Sequence, residues 1–289
     1  MHLNRYLQRI RFEGPVRPDL STLQALHRAH LLAIAYENLD IHLGRALLLD
    51  SEAVFAKIVD GNRGGWCYEM NGLFASVLRE IGFDVTLLAS AVDRVPEGND
   101  GDFDHLILRV RCDDQPEQPW LVDVGFGNGF FEPLPLVAGT HAQRGFTYRL
   151  THRDDVHGHD VHGHDEWFFH NDHRVGDGFG FLDCPRQIDD FASRCTWLQS
   201  EPTSPFVVRT SCHRFTPVGV VGLRGAVLKT ITPERASDIV INSRIDYARV
   251  LRHTFGLSLT DHEIDTLWSR VWPAHLAWVA STRDAISSA

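Results

Sequence analysis

The 289-residue sequence contains no apolar run approaching the roughly 18 to 20 residues of a membrane-spanning helix. No membrane partner is expected. The opening segment, MHLNRYLQRIRFEG, has no apolar signal core; it alternates charge with Leu3, Tyr6, Leu7 and Ile10 at helical spacing. A cytoplasmic location is therefore expected. Excess positive charge is missing as well. The net charge is −10, which argues against a protein that coats nucleic acid, since such affinity comes mainly from Lys and Arg. An anionic small molecule held by a few local groups is still allowed. The five cysteines (Cys67, Cys112, Cys184, Cys195 and Cys212) are odd in number and contain no C-x-x-C pair. That pattern speaks against a disulfide framework or a structural zinc site, and for free thiols.

What is present is ordinary in bulk: 43% hydrophobic and 23% charged residues. The length exceeds what one core usually serves, so two or three subdomains are expected. The first 85 or so residues read as helices. Ser21 precedes Leu23, Leu26, His27, His30 and Leu31; Ser51 can cap a helix carrying Val54, Phe55, Ile58 and Val59, with Gly61 as its stop. The clearest stripe is Met70, Leu73, Phe74, Val77, Leu78 and Ile81, closed by Gly82. It predicts an amphipathic helix with Cys67 at or near its start. DVTLLASAV, HLILRVRC, PWLVDVGFG, FTYRL and EWFFH then read as strands of an antiparallel meander or small barrel. In the last third, PFVVRTSCHRFTPVGVVGLRGAVLKTI reads as two or three strands. TPERASDIV and IDYARVLRHTF read as helical, and Thr260 with Glu263 as a capping box for DHEIDTLWSRVW.

Three residues stand against their local pattern. Cys67 lies in NRGGWCYEMNG, and a free cysteine is ordinarily a small buried hydrophobe. At a helix N-terminus, however, the macrodipole and the unpaired N–H groups favour the thiolate. Gly64 and Gly65 carry no Cβ, so a substrate could approach the backbone and the Cys67 amide could face an oxyanion. His105 shares a strand face with Ile107 and Arg109, while Asp123 interrupts an apolar strand and is expensive to bury unpaired. DDQPEQP between them reads as a turn, so a hairpin would bring His105 and Asp123 together directly or diagonally. Taken alone, that pair reads first as a satisfied structural contact. With Cys67 it supplies nucleophile, base and orienter.

Two further features carry weaker signals. DVGFGNGF places Gly125, Gly127 and Gly129 at alternate positions, but no helical pattern follows, so it is no dinucleotide fingerprint. It reads as a flexible loop, or as bare amides lining a pocket. Residues 155 to 164 are DVHGH twice over, near His152, His170 and His173. Such a tract can chelate a transition metal. Its Gly/Asp-rich setting between two strands reads instead as a solvated hairpin tip, and no metal is expected to be required.

Together, RGGWCYEMNG, YENLD (residues 36 to 40), LVDVGFG (121 to 127) and SPFVVRTSCHRFTP near residue 204 resemble the arylamine N-acetyltransferases over nearly the whole chain. The resemblance implies an α+β fold in three parts. These are a helical domain carrying the nucleophile (1–85), an antiparallel β-barrel carrying His and Asp (86–200), and an α/β lid (201–289), with a Cys-His-Asp triad as in cysteine proteases and transglutaminases. It implies an acetyl-CoA co-substrate whose acetyl group passes through a Cys67 thioester to an aromatic amine, hydrazine or hydroxylamine. His105 would hold Cys67 as thiolate–imidazolium, and Asp123 would orient the ring. Phe126 and Tyr36 would meet the acceptor; Gly125, Gly127, Gly129 and Phe103 would lie along the CoA approach. The enzyme would act as a monomer or homodimer. Two alternatives use the same triad: an amide synthase fed by a carrier protein, and a hydrolase or transglutaminase-like enzyme without CoA dependence.

Overall fold

A computed structural model describes residues 3–94, 103–153 and 165–287. The helical part comprises Leu3–Arg9, Leu20–Ala33, Leu39–His42, Ser51–Phe55 continuing as a wider turn to Asp60, and Cys67–Ile81. Two helices begin one or two residues earlier than serine capping predicts. Asp19 and Asp50 accept the capping bonds, each at 2.8 Å from Thr22 N and Ala53 N, so Ser21 and Ser51 fall inside the first turn. A carboxylate oxygen is the better acceptor beside the positive helix end.

The helix Cys67–Ile81 starts where the sequence places it and ends on Gly82, which adopts φ 113°. Its cap is inverted: Trp66 offers no side-chain acceptor, and the Glu69 carboxylate reaches back to the Trp66 amide at 3.2 Å. Ten of its residues, Cys67 to Asn71 among them, are buried. It is therefore a central helix rather than a surface one.

Beside it lies a nearly closed antiparallel barrel of eight strands. In spatial order these are Leu134–Pro135, Gln115–Val122, His105–Cys112, Asp84–Val92, Phe179–Arg186, Glu166–His170, Phe146–His152 and Gly139–Gln143. Phe130, Phe169, Phe179 and Phe181 fill its interior with Leu88, Ile107 and Leu121. The hairpin before Asp123 differs from expectation. Only Asp113 and Asp114 turn, and Gln115–Val122 is strand through both prolines. Asp123 therefore sits just past the strand's end.

A five-stranded antiparallel sheet forms the third part, in the order Tyr36–Glu37, Ser211–Thr216, Gly219–Arg224, Val227–Ile231 and Ala236–Val240. TPERASDIV, expected as helix, supplies that last strand; all five of its residues are exposed on an edge. PFVVRTSCHRFTP opens with a short helix, Pro205–Val208. Thr260 and Glu263 do form the capping box of the long helix Asp261–Ser287, with Thr260 N donating to Glu263 at 2.6 Å. The strand Tyr36–Glu37 belongs to the helical part by sequence, yet it pairs with Cys212 and His213 and accepts Gly65 on its other side. One dipeptide thus ties the loop before Cys67 to the five-stranded sheet. Among the described residues, no helix is long and apolar enough to cross a membrane.

Candidate active site

The turn before Cys67 explains its glycines differently from the sequence. A Cβ on Gly64 would stand 2.0 Å from the Ala35 carbonyl oxygen, and one on Gly65 would stand 2.9 Å from Glu69 Cβ. The space is needed by the chain itself, where Gly65 bridges Tyr36 and Glu37, and not by an approaching substrate. Trp66 is fully buried edge-on against Tyr68 and Phe206, with ring centroids 5.1 and 5.3 Å away. Cys67 is then the first helical residue, buried, with its thiol 3.8 Å from the Asp104 carbonyl oxygen.

His105 and Asp123 meet diagonally. Leu108 pairs with Val122, so the extrapolated ladder sets Ile107 opposite Asp123, and His105 reaches it across one step. The His105 Nε2–Asp123 Oδ2 distance is 2.7 Å, which leaves Nδ1 for the Cys67 thiol, its other hydrogen-bond partner. Asp123 is buried and its oxygens are filled: Oδ1 accepts from Asn71 Nδ2 and from Gly125 N, both at 2.8 Å. A buried carboxylate persists only with such partners. Asn71 also donates to the Leu106 carbonyl at 2.6 Å and accepts from Val124 N at 2.9 Å. It locks the helix to both strand ends. Ser90 Oγ pins the His105 carbonyl at 3.0 Å.

The electrostatics single out one imidazole. Burial pushes His27 and His213 down to about 4 and lowers His30 and His42 as well. His105 is equally buried, but the Asp123 carboxylate and then the Cys67 sulfur override that desolvation and raise it to about 10. Of these five it is the one raised above its ordinary value.

Below the loop lies a buried charge layer that sequence reasoning missed. Arg63 holds Glu37 through Nε and Nη2, at 3.0 and 2.7 Å, and reaches Asp40 at 3.0 Å. Lys57 joins Asp40 at 3.0 Å to both oxygens of Glu69 at 2.8 Å. Glu37 also accepts from Leu39 N at 2.8 Å. Burial raises the Glu69 carboxyl to about 6 even beside Lys57. The available signal was charged residues clustered in YENLD and in NRGGWCYE, both flanked by core positions.

The other expected residues scatter around this centre. The Phe126 ring is half-buried with its centroid 5.2 Å from both His105 and Phe179. Tyr36 packs edge-on to His213 at 5.8 Å. The glycine loop runs against Cys67: a Cβ on Gly125 would stand 2.8 Å from Cys67 Cα, and one on Gly127, at φ 85°, 3.1 Å from His213 and 3.2 Å from Tyr36. Gly129 faces Phe126. The Phe103 side chain is buried beneath Arg186, whose guanidinium lies 4.6 Å from the ring, and its carbonyl accepts from Tyr68 OH at 2.7 Å. The DVHGH repeats lie outside the described residues. Of their neighbours, His152 packs on Trp167 at 4.4 Å and His170 bonds Thr151 at 2.9 Å. Among the described residues, no group of three or more His, Cys, Asp or Glu is arranged to hold a metal ion.

Comparison with known proteins gives the family. The N-acetyltransferase family profile matches residues 19–264. Human arylamine N-acetyltransferase 1 is 32% identical over 278 residues, covering 90% of this chain and 95% of its own. The Mycolicibacterium smegmatis arylamine N-acetyltransferase is 35% identical over 266 residues, covering 90% and 94%. The solved structure of the Mycobacterium marinum arylamine N-acetyltransferase in complex with CoA superposes with a TM-score of 0.82 at 30% identity, covering 94% of this chain and 99% of that one. A sequence that matches the profile over most of its length, and these relatives over nine-tenths of it, is a member of the arylamine N-acetyltransferase family.

Proposed function

We propose that the protein transfers an acetyl group from acetyl-CoA to arylamines, arylhydrazines or arylhydroxylamines through an acetyl-Cys67 thioester. The observation that carries this is the buried His105 bonded to Asp123 at 2.7 Å with Cys67 on its other side. The thiol proton rests on His105 Nδ1, and the freed sulfur attacks the acetyl carbonyl. The new carbon–sulfur bond forms as the bond to the CoA sulfur breaks, and CoA leaves with the proton from His105. One thioester replaces another, so this step is close to thermoneutral. The acceptor nitrogen then attacks the Cys67 thioester, gives a proton to His105 and expels the Cys67 sulfur, restoring the pair. The Cys67 amide, first in its helix and without an intrahelical acceptor, faces the developing oxyanion. Holding the acyl group in place makes the second step effectively intramolecular.

In this reading Phe126, half-buried against His105, and Tyr36 contact the acceptor. Gly125, Gly127, Gly129 and Phe103 flank the CoA path. Residues 1–85, 86–200 and 201–289 act as nucleophile domain, barrel and lid. The five cysteines are free, which suits a reducing cytoplasm, and the enzyme works as a monomer or homodimer. Intact mass after mixing with acetyl-CoA and no acceptor tests the chemistry. The expected gain is one acetyl group, about 42 Da, mapped to Cys67 and absent from Cys67→Ser. An unmodified protein whose Cys67 still alkylates would overturn it.

A further inference from the structure

A cleft of about 1010 Å³ opens between the helices Leu3–Arg9 and Leu20–Ala33 and the segment 252–260. None of Cys67, His105 or Asp123 lines it. Four arginines from three separate stretches do, namely Arg9, Arg11, Arg214 and Arg252, and the lining contains no Asp or Glu. In a chain of net charge −10 this is a local reversal of sign.

The arginines are held for something other than an internal ion pair. Arg9 spends three N–H groups on the carbonyls of Ile58, Ala33 and Arg63, at 2.9 to 3.1 Å. Arg214 spends three on Leu32 and Thr254, at 2.6 to 3.1 Å. Carbonyls fix a guanidinium without neutralising it, and each retains two further N–H donors. Arg11 and Arg252 are exposed and make no ion pair among the described residues. The crowding is felt: burial and then Arg214 lower Arg9 to about 10, and burial and then Arg11 lower Arg214. Ile10, Ala29 and Leu32 give the cleft one apolar wall, and Asn62 and Ser258, bonded at 3.2 Å, a polar one.

We propose that this cleft binds a small molecule carrying two or more phosphate groups, its anionic end on the four guanidiniums and an apolar ring against the wall. Planar guanidinium forks match phosphate oxygens, and several negative charges are needed to balance four cations. The volume is that of a ligand of nucleotide size. The phosphates could belong to CoA itself or to a separate phosphorylated metabolite.

The test titrates the whole protein by calorimetry with inorganic pyrophosphate and, separately, with adenosine 3′,5′-bisphosphate. The comparison is the double variant Arg11→Gln/Arg252→Gln, whose side chains make no hydrogen bond or ion pair among the described residues. Wild type should bind at least one probe, more weakly as salt rises, and the variant should bind it at least tenfold more weakly with an unchanged unfolding temperature. A raised KM for acetyl-CoA in the variant at constant kcat identifies CoA's nucleotide end as the occupant. An unchanged KM identifies a separate ligand. Absence of binding by both probes, or equal binding by the variant, overturns the proposal. Because binding is read without turnover, the result is independent of whether acetyl transfer proceeds as proposed.

Discussion

Replacing Asp123 by asparagine separates the proposed triad from a merely structural contact. The two side chains have the same shape. The asparagine oxygen can go on accepting from Asn71 and Gly125, which donate to Asp123 Oδ1 at 2.8 Å. Its amide nitrogen must then face His105 Nε2, where the carboxylate stood at 2.7 Å. Nε2 becomes an acceptor, so the ring proton moves to Nδ1, pointing at Cys67, and the imidazole can no longer take the thiol's proton. Without the carboxylate, His105 should behave as the equally buried His27 and His213, held near 4, and be neutral at pH 7. An unassisted thiol is only a few per cent ionised at pH 7, so alkylation of Cys67 by iodoacetamide should fall about 30-fold there. Acetyl transfer should fall by about 10⁴, the usual effect of turning a triad's orienting carboxylate into an amide. The assay follows alkylation by intact mass from pH 5 to 9. The variant should alkylate more slowly than wild type while its circular dichroism stays native. A variant that alkylates within threefold of wild type at pH 7, with the same pH profile, would refute the argument that Asp123 sustains the charge pair.

Three further outcomes follow from the same geometry. Gly125→Ala drives a methyl group to 2.8 Å from Cys67 Cα and 2.7 Å from Asn71 Nδ2. It should destabilise by about 1–3 kcal/mol and slow Cys67 acetylation roughly 10²-fold, read by chemical denaturation and stopped-flow mass analysis. Arg63→Met leaves Glu37 without its cation in the core. That should cost about 3–5 kcal/mol and lower the melting temperature by about 10 °C, whereas an exposed Arg17→Met should move it little. The pH dependence of stability should carry the His105 signature once the thiol that shares its proton is gone. In Cys67→Ser the Asp123 carboxylate still holds His105 above its ordinary 6.5, so the folded state binds one proton more than the unfolded chain. That stabilisation is complete below pH 6.5 and is lost as pH rises through the folded value. Denaturation midpoints of Cys67→Ser, but not of Cys67→Ser/Asp123→Asn, should show the decline above pH 7.

Where burial stamps a period on the chain, the sequence is transparent. The helix Cys67–Ile81 and the strands Asp84–Val92, His105–Cys112 and Glu166–His170 begin and end where their apolar patterns do. The misreadings fall where no buried face exists to leave a pattern. Ala236–Val240 pairs on one side only and is exposed throughout, so its charged residues imitate a helix. Pro116 and Pro119 disguise the start of Gln115–Val122, and they are tolerated because only Trp120 and Leu121 pair on its second edge. Cys67, His105 and Asp123 were legible one at a time, each as a polar side chain that its surroundings should have refused. Asn71 and the Lys57, Arg63, Glu37, Asp40 layer were not, because the side chains and strand ends they join lie 12 to 53 residues apart in other elements. Pairing at that range leaves no local periodicity.

That layer also answers why so short a loop should be built so expensively. Its groups could be exchanged for hydrophobes of like volume with little loss of stability, since buried ion pairs seldom return their desolvation energy. What hydrophobes could not do is bind directionally. Glu37 takes the Leu39 amide, Glu69 takes the Trp66 amide, and Arg63 and Lys57 bolt those two carboxylates to each other through Asp40. The strand Tyr36–Glu37, the helix end at Asp60 and the start of the helix at Cys67 are thereby fixed in one frame, which Gly64 and Gly65 allow to close without a Cβ between them. Cys67 can move relative to His105 only if that frame moves, and His105 is held from the barrel through Ser90 and Asp123. The proposed nucleophile and its base are thus positioned by different parts of the fold, which Asn71 and Tyr68, both on the Cys67 helix, tie together through Asp123, Leu106 and Phe103.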